Sequence, residues 1–299
     1  MQSAALPAGI HSVALTHRGG ERPYRLHIPP GGPSVRRPLV LQLHGRGGGG
    51  PWFDRIVGFS ALVQTCGFVL AVPEAIDGVW NDGRFGAGRH GAPDDVGYLT
   101  ALVDDATTRT PIDPRLVYVF GMSNGAAMAG RLACQRTDRF AAVAQVAGTA
   151  AHVVAVDCRP TRPVPILQIH GALDRLAPYE GGRRRGLLAR ALLLGRGAAG
   201  PSIGVDAWAR FWVAANGAAA EPAVTRIPPD TTVRTWRGPT PASDVVFYRL
   251  DGAGHTWPGS RSELVRVLFG PTSRTIDATS VIWSFFTAHT LEGHEKAPA

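Results

Sequence analysis

At 299 residues, with 44% hydrophobic and 18% charged side chains, the chain is long enough to bury a core and too apolar to stay disordered. Glycine and proline, 37 and 24 residues, make up about a fifth of it, short of the roughly 25–30% that marks low-complexity sequence. The net charge of +8 comes almost wholly from arginines scattered singly through apolar context, so no basic stripe with interleaved aromatics is present and no nucleic-acid partner is expected.

In chain order, residues 12–16 and 24–28 read as two opening strands joined at Gly19-Gly20. Residues 38–43 form a near-continuous apolar run that ends at His44-Gly45, the pattern of a buried parallel strand. A helix is predicted over 54–65, then a strand over 68–72 stopped by Pro73. A loop rich in Gly, Asp and Arg (77–93) leads to a helix over 95–108, a strand over 116–120 and a small-residue helix from Ser123 to about Gln135. A strand over 164–169 precedes an irregular, leucine- and arginine-rich stretch at 181–200. A helix near 203–216, strands near 231–237 and 245–250, and a last helix over about 276–288 complete the chain. This alternation predicts an α/β fold, with one doubly wound, mostly parallel sheet and helices on both faces. Residues 1–299 are read as a single domain, with 183–200 a candidate lid or insertion and 290–299 a flexible tail.

No apolar run approaches the ~20 residues of a membrane span. Residues 1–10 lack the charged and apolar regions of a signal peptide. Three cysteines make no disulfide framework, and no C-x-x-C pair points to zinc; no metal and no cofactor are expected.

Gly121-Met122-Ser123-Asn124-Gly125 sits between a predicted strand and a predicted helix. This is G-x-S-x-G in the context it needs, a serine projected from a tight turn with a helix N-terminus behind it. A serine nucleophile needs a base and an orienting acid, in the chain order Ser…Asp…His on such a sheet. Asp174 and His255 supply that order, each in a loop past the end of a strand. His44-Gly45-Arg46-Gly47-Gly48-Gly49-Gly50 follows an early strand and is read as the oxyanion loop. The donors are assigned as the backbone N–H groups of Arg46 and Asn124.

A competing reading uses the same glycines. Gly45, Gly47 and Gly50 satisfy G-x-G-x-x-G, and Glu74 ends the next strand as a dinucleotide site requires. Pro51-Trp52 and the unexplained Ser123, Asp174 and His255 count against it. Among other polar groups, Asp94, Asp95, Asp104 and Asp105 are read as helix-start and solvated carboxylates, with Asp95 the reserve triad acid. Trp208, Trp212 and Trp283, at helical spacings, are read as packing residues.

Together with Trp80-Asn81-Asp82, Asp113-Pro114-Arg115, Pro178-Tyr179-Glu180-Gly181-Gly182 and Gly254-His255-Thr256-Trp257-Pro258-Gly259, these motifs resemble the polyhydroxybutyrate depolymerase family of esterases. That family also holds feruloyl esterases and related carbohydrate esterases. The resemblance covers most of the chain and implies an α/β-hydrolase fold. It implies Ser123 as nucleophile, His255 as general base and Asp174 as its partner. Arg46 stands where the family often has cysteine, and 183–200 is longer and richer in leucine than usual.

The expected activity is hydrolysis of a carboxylic ester, polyester first, with feruloyl or acetyl esters as alternatives; a non-catalytic polymer or carbohydrate binder on the same fold is the reading from another class. Trp80, Trp257 and His44 are expected to contact substrate. The partner is an ester, polymeric or not, and the oligomeric state is left open. The chain is expected to be secreted or periplasmic with its signal peptide absent from this sequence, a cytoplasmic location staying open. Cys134 and Cys158 are expected to pair on export, and Cys66 to be free and buried.

Overall fold

The computed structural model describes residues 5–32, 35–84, 92–182, 200–261 and 267–291. Residues 183–199 of the expected lid and 292–299 of the expected tail lie outside these. The start of that tail is tied down, because Leu291 is buried and its N–H donates to Arg115 O at 2.9 Å.

The strands are β1 (Gly9–His17), β2 (Gly20–Ile28), β3 (Arg37–Leu43), β4 (Val69–Pro73), β5 (Ile112–Met122), β6 (Ala142–Val146), β7 (Ile166–Gly171), β8 (Ala223–Ile227), β9 (Thr231–Trp236) and β10 (Val245–Leu250). They form a ten-stranded sheet in the order β1-β2-β4-β3-β5-β6-β7-β10-β9-β8. From β4 to β10 the neighbours run parallel, while β1, β2, β8 and β9 add antiparallel margins. The helices are α1 (Gly50–Val57), α2 (Leu62–Cys66), α3 (Asp95–Arg109), α4 (Asn124–Gln135), α5 (His152–Asp157), α6 (Val205–Ala215) and α7 (Ala278–Thr287).

The period-2 geometry of each central strand divides its side chains between two cores. Leu39, Leu41 and Leu43 of β3 and Val117 and Val119 of β5 join Leu99 and Leu102 of α3, Met128 and Leu132 of α4, and Trp208 and Trp212 of α6. Val40, Tyr118 and Phe120 face the other way, onto Phe53 and Val57 of α1, Val63 of α2, and Ile282 and Phe286 of α7. Trp208 and Trp212 are fully buried, and Trp283 packs at the margin of the second core, as packing residues should.

The helix expected over 54–65 is two helices. Gly58 takes a left-handed conformation (φ 66°), its N–H closes on Asp54 O, and the chain turns before α2. The first piece begins early, at Gly50, because Pro51 sits in the first turn, where its missing N–H costs nothing. β6 and β8 fell outside the sequence reading. β6 is short, alanine-rich and buried on both faces, so it shows no alternation, and β8 is an exposed margin strand.

β3 leads through α1 and α2 to β4 on one side, whereas β5, β6 and β7 follow on the other. The strand order therefore reverses between β3 and β5, which are paired with Leu43 beside Gly121. Crevices at such a reversal, beyond the C-terminal strand ends, are where open α/β sheets bind ligands. Among the described residues, no helix is long and apolar enough to cross a membrane.

Candidate active site

Ser123 stands between the end of β5 and the first residue of α4, with φ 58° and ψ −114°. A positive φ in a residue with a Cβ costs about 1–3 kcal/mol and persists only where the surroundings over-determine it. Here the Ser123 N–H donates to Val146 O at 2.9 Å, and its carbonyl accepts from Ala127 N–H at 3.0 Å. The turn is also too tight for side chains on either flank. A Cβ at Gly121 would lie 2.4 Å from the Gly125 backbone, and one at Gly125 would lie 2.2 Å from Leu43 O. The two glycines of the motif thus let α4 start directly against the end of β3.

Asp174 follows β7 and is buried. Its Oδ1 accepts from Leu176 N–H at 2.9 Å and Ala177 N–H at 2.7 Å, while Oδ2 is 2.7 Å from His255 Nδ1. Burial, the largest influence, pushes this carboxyl up. The adjacent His255 imidazole, its hydrogen bond and the backbone N–H groups outweigh that and hold it below the usual carboxylate range. The His255 loop follows β10 and is braced by backbone bonds from Gly254 N–H to Pro271 O and from His255 N–H to Phe269 O, both 2.8 Å. With Nδ1 engaged on Asp174, Nε2 is the ring nitrogen left for proton transfer.

His170 was missed by sequence reasoning, although it opens the His170-Gly171-Ala172-Leu173-Asp174 run. It is buried; its Nε2–H donates to Ala177 O at 2.8 Å, and its Nδ1 accepts from Gln168 Nε2 at 3.2 Å. With both nitrogens used this way the ring is neutral, and burial lowers its pKa. It ties down the turn that presents two N–H groups to Asp174.

Of the glycine loop, residues 45–48 line the cavity that holds Ser123 and His255. Gly47 N–H donates to Gly78 O at 2.9 Å, Gly48 N–H to Gly45 O at 3.2 Å and Gly50 N–H to Glu74 Oε1 at 2.8 Å. Those three N–H groups are therefore committed within the protein. The dinucleotide reading fails here for the same reason. The N-terminus of α1, where a pyrophosphate would sit, already holds the Glu74 carboxylate.

Gly45, Arg46, Met122, Ser123, Leu176 and His255 line one cavity of about 340 Å³. Trp52, Phe53, Ile56 and Phe269 complete a largely apolar wall. Those four carried no motif; only packing brings them together.

Three expected substrate contacts lie elsewhere. Trp80 is buried with its Nε1–H donating to His44 O at 2.9 Å, and Trp257 is buried against Phe53 and Phe120 with its Nε1–H on Thr279 Oγ1 at 3.1 Å. His44 is buried beside Trp80; Nδ1–H donates to Gly45 O at 2.8 Å and Nε2 accepts from Ala75 N–H at 3.1 Å. Burial lowers its pKa, and a ring bonded in this way is neutral. All three brace the site from behind.

The Asn124 side chain does likewise, accepting from Trp80 N–H at 2.7 Å and donating to Trp80 O and Asp82 Oδ2 at 3.0 and 2.6 Å. Its backbone N–H belongs to the first turn of α4, where amides have no intrahelical acceptor.

Asp94 caps α3 through Gly97 N–H and the exposed Asp104 pairs with Arg139, as expected of helix-start and solvated carboxylates, whereas Asp105 is half-buried, paired with Arg109 and accepting from the O–H of the buried Tyr24. Asp95 departs from that reading. It is fully buried, with Oδ1 taking Arg22 Nη2–H at 2.8 Å and Oδ2 taking Asn81 N–H at 2.6 Å, so it ties the start of α3 to β2 and to Asn81, and its partners do not include His255. Cys134 and Cys158 form a disulfide between the end of α4 and the segment after α5. Cys66 is free, but half-buried at the end of α2 instead of buried.

The family model described as "Esterase PHB depolymerase" matches residues 22–181, a little over half of the chain. NocK of Nocardia uniformis subsp. tsuyamanensis, named as an esterase, is 34% identical over 276 residues, which span 89% of this chain and 79% of that protein. Feruloyl esterase C of Emericella nidulans is 28% identical over 54% of this chain and 58% of its own length. Poly(3-hydroxyalkanoate) depolymerase C of Paucimonas lemoignei is 29% identical over 48% of this chain, with 36% of its own length covered. Among solved structures, acetyl xylan esterase from Aspergillus awamori aligns with a TM-score of 0.62 over 94% of this chain and 100% of that one, at 14% identity, and so shares the α/β-hydrolase fold.

Proposed function

The chain belongs to the esterase PHB depolymerase family and is an esterase, and on that premise we propose that it works through a Ser123-His255-Asp174 triad. His255 Nε2 takes the Ser123 hydroxyl proton as Oγ attacks the ester carbonyl, giving a tetrahedral intermediate with its oxyanion on the N–H groups of Arg46 and Asn124. Collapse expels the alcohol with the proton from His255. Water, deprotonated by the same imidazole, then releases the acid and restores Ser123.

The observation that carries this reading is the 2.7 Å bond from His255 Nδ1 to a buried Asp174, with His255 and Ser123 on the wall of one cavity. Asp174 fixes the imidazole with its proton on Nδ1, which is the form whose Nε2 can accept a proton. The chain acts as a single catalytic domain in this account.

The substrate we propose is an aliphatic polyester of the polyhydroxyalkanoate type. The cavity wall is largely apolar, with Arg46 and Asp77 its charged members, and Trp52, Ile76, Leu173, Val267 and Leu268, on or beside its lining segments, expose large hydrophobic side chains to solvent. An apolar rim around a cleft suits a water-insoluble chain better than a hydrated sugar. A feruloyl ester is the second reading, favoured by the aromatic lining of Trp52, Phe53 and Phe269. Export fits the Cys134–Cys158 disulfide, since such bonds persist in oxidising compartments.

Initial rates on hydroxybutyrate oligomers, methyl ferulate and acetylated xylo-oligosaccharides, with Ser123→Ala in parallel, test the proposal. Fastest turnover is expected on the oligomers, with a loss of roughly 10⁴-fold or more in Ser123→Ala. Absence of labelling by a fluorophosphonate, or full activity in Ser123→Ala, refutes the mechanism; preference for methyl ferulate moves the substrate to the second reading.

A further inference from the structure

Glu74 is not part of the triad, does not line the cavity, and was singled out in sequence only for a dinucleotide site that does not exist. Its position gives it other work. It follows β4, and its backbone is held on β2, with Glu74 N–H donating to Pro23 O at 3.3 Å and its carbonyl accepting from Arg22 Nη2–H at 3.4 Å. From there its carboxylate reaches the glycine loop. Oε1 accepts from Gly50 N–H at 2.8 Å, and Oε2 lies 3.6 Å from His44 Nε2. The contact is close on the glycine side too, since a Cβ at Gly50 would lie 3.0 Å from Oε1 and one at Gly49 would lie 3.8 Å from both carboxylate oxygens.

Helix α1 has no side-chain cap of its own, because Gly49 occupies the capping position. An anion from another strand fills that role, bonded to an orphan N–H at the positive end of the helix. The segment around Glu74 holds the loop at other points as well. Ala75 N–H donates to His44 Nε2 at 3.1 Å, and Gly78 O accepts from Gly47 N–H at 2.9 Å. The loop thus lies between Ser123 on one side and residues 74–78 on the other, and its backbone has few side chains with which to hold itself.

We propose that Glu74 is a positioning residue that sets the oxyanion loop 44–50 through its bond to Gly50 N–H. The proposal rests on the assignment of that loop to the oxyanion hole. A loop displaced by a few tenths of an ångström still admits the planar ester but no longer meets the developing oxyanion, so the loss falls on the transition state. The Glu74 side chain is 34% exposed, so its removal does not open the core.

The test compares Glu74→Ala, Glu74→Asp and Glu74→Gln on a soluble p-nitrophenyl ester, with inhibition by a trifluoromethyl ketone whose hemiketal oxyanion occupies the hole. Glu74→Ala is expected to lower kcat about 10–100-fold, part of the 10²–10³-fold that loss of a whole oxyanion donor costs, with KM within twofold. Affinity for the ketone falls by the same factor as kcat/KM. Glu74→Asp keeps the charge but is one methylene too short, and behaves like Glu74→Ala. Glu74→Gln keeps an acceptor for Gly50 N–H and restores kcat to within about threefold.

Unchanged kcat and ketone affinity in Glu74→Ala overturn the proposal, as does Glu74→Gln as impaired as Glu74→Ala. A lowered melting temperature with unchanged kinetics of the folded enzyme also overturns it. Ser123→Ala is run alongside: its loss of activity beside a fully active Glu74→Ala rejects this inference alone, whereas an active Ser123→Ala rejects the underlying mechanism.

Discussion

An Asp174→Asn substitution separates the charge of this side chain from its shape. The amide oxygen keeps the bonds from Leu176 and Ala177 N–H, so the turn stays closed, while the amide nitrogen faces His255 Nδ1. An NH₂ group cannot accept the Nδ1 proton. The imidazole must therefore carry its proton on Nε2, the nitrogen that has to receive one from Ser123. A wrong tautomer of this kind lowers kcat about 10⁴-fold, or about 5 kcal/mol of transition-state stabilisation.

The same change replaces a charge-assisted hydrogen bond by a neutral one, a loss on the order of 1 kcal/mol, so the protein stays folded and melts a few degrees lower. The pH dependence carries a sign. Burial raises the Asp174 pKa, but His255 and the hydrogen bonds lower it further, so the folded value is depressed. A depressed carboxyl contributes stability that is present above its unfolded value, about 3.9, and lost as pH falls through the folded value. The gap in melting temperature between wild type and variant should thus narrow as pH drops below about 4. Turnover of p-nitrophenyl butyrate and thermal melts between pH 3 and 7 measure both effects. Activity within tenfold of wild type would refute the reasoning, because the tautomer argument allows no such residue of activity.

Two further outcomes follow from partners read off the fold. Asp95→Asn strips the buried Arg22 guanidinium of its counter-charge and should destabilise by about 3–5 kcal/mol, with turnover per folded molecule near wild type; a loss as large as that of Asp174→Asn would make Asp95 the triad acid. Replacing Cys134 and Cys158 together with serine opens a bridge across 24 residues and should lower stability by about 3 kcal/mol, read from the urea midpoint, which an unshifted midpoint contradicts.

The strand–helix alternation, the order Ser123, Asp174, His255 and the place of each at a strand end were all legible in the sequence. They rest on short-range signals: apolar periodicity, glycine punctuation and a serine turn that tolerates no side chain on its flanks. Lateral orientation was not legible. Trp80, Trp257 and His44 stand next to the motifs in the chain yet turn into the core, because a loop side chain points wherever distant packing leaves room, and Thr279, Phe53 and Ala75 decided that. Trp52, Phe53, Ile56 and Phe269 converge on the cavity from segments with no mutual spacing rule.

Asp95 read as a solvated helix-start carboxylate, since its partner Arg22 lies on β2, far away in sequence. Glu74 shows the division most plainly. Its distance along the chain from the glycine loop was compatible with a nucleotide site, and only the parallel pairing of β3 with β4 sets its carboxylate on Gly50 N–H, where it fills the anion position itself. Local chemistry thus specifies which residues end each strand. Which of them meet is decided by the order of the strands, through contacts that no local pattern encodes.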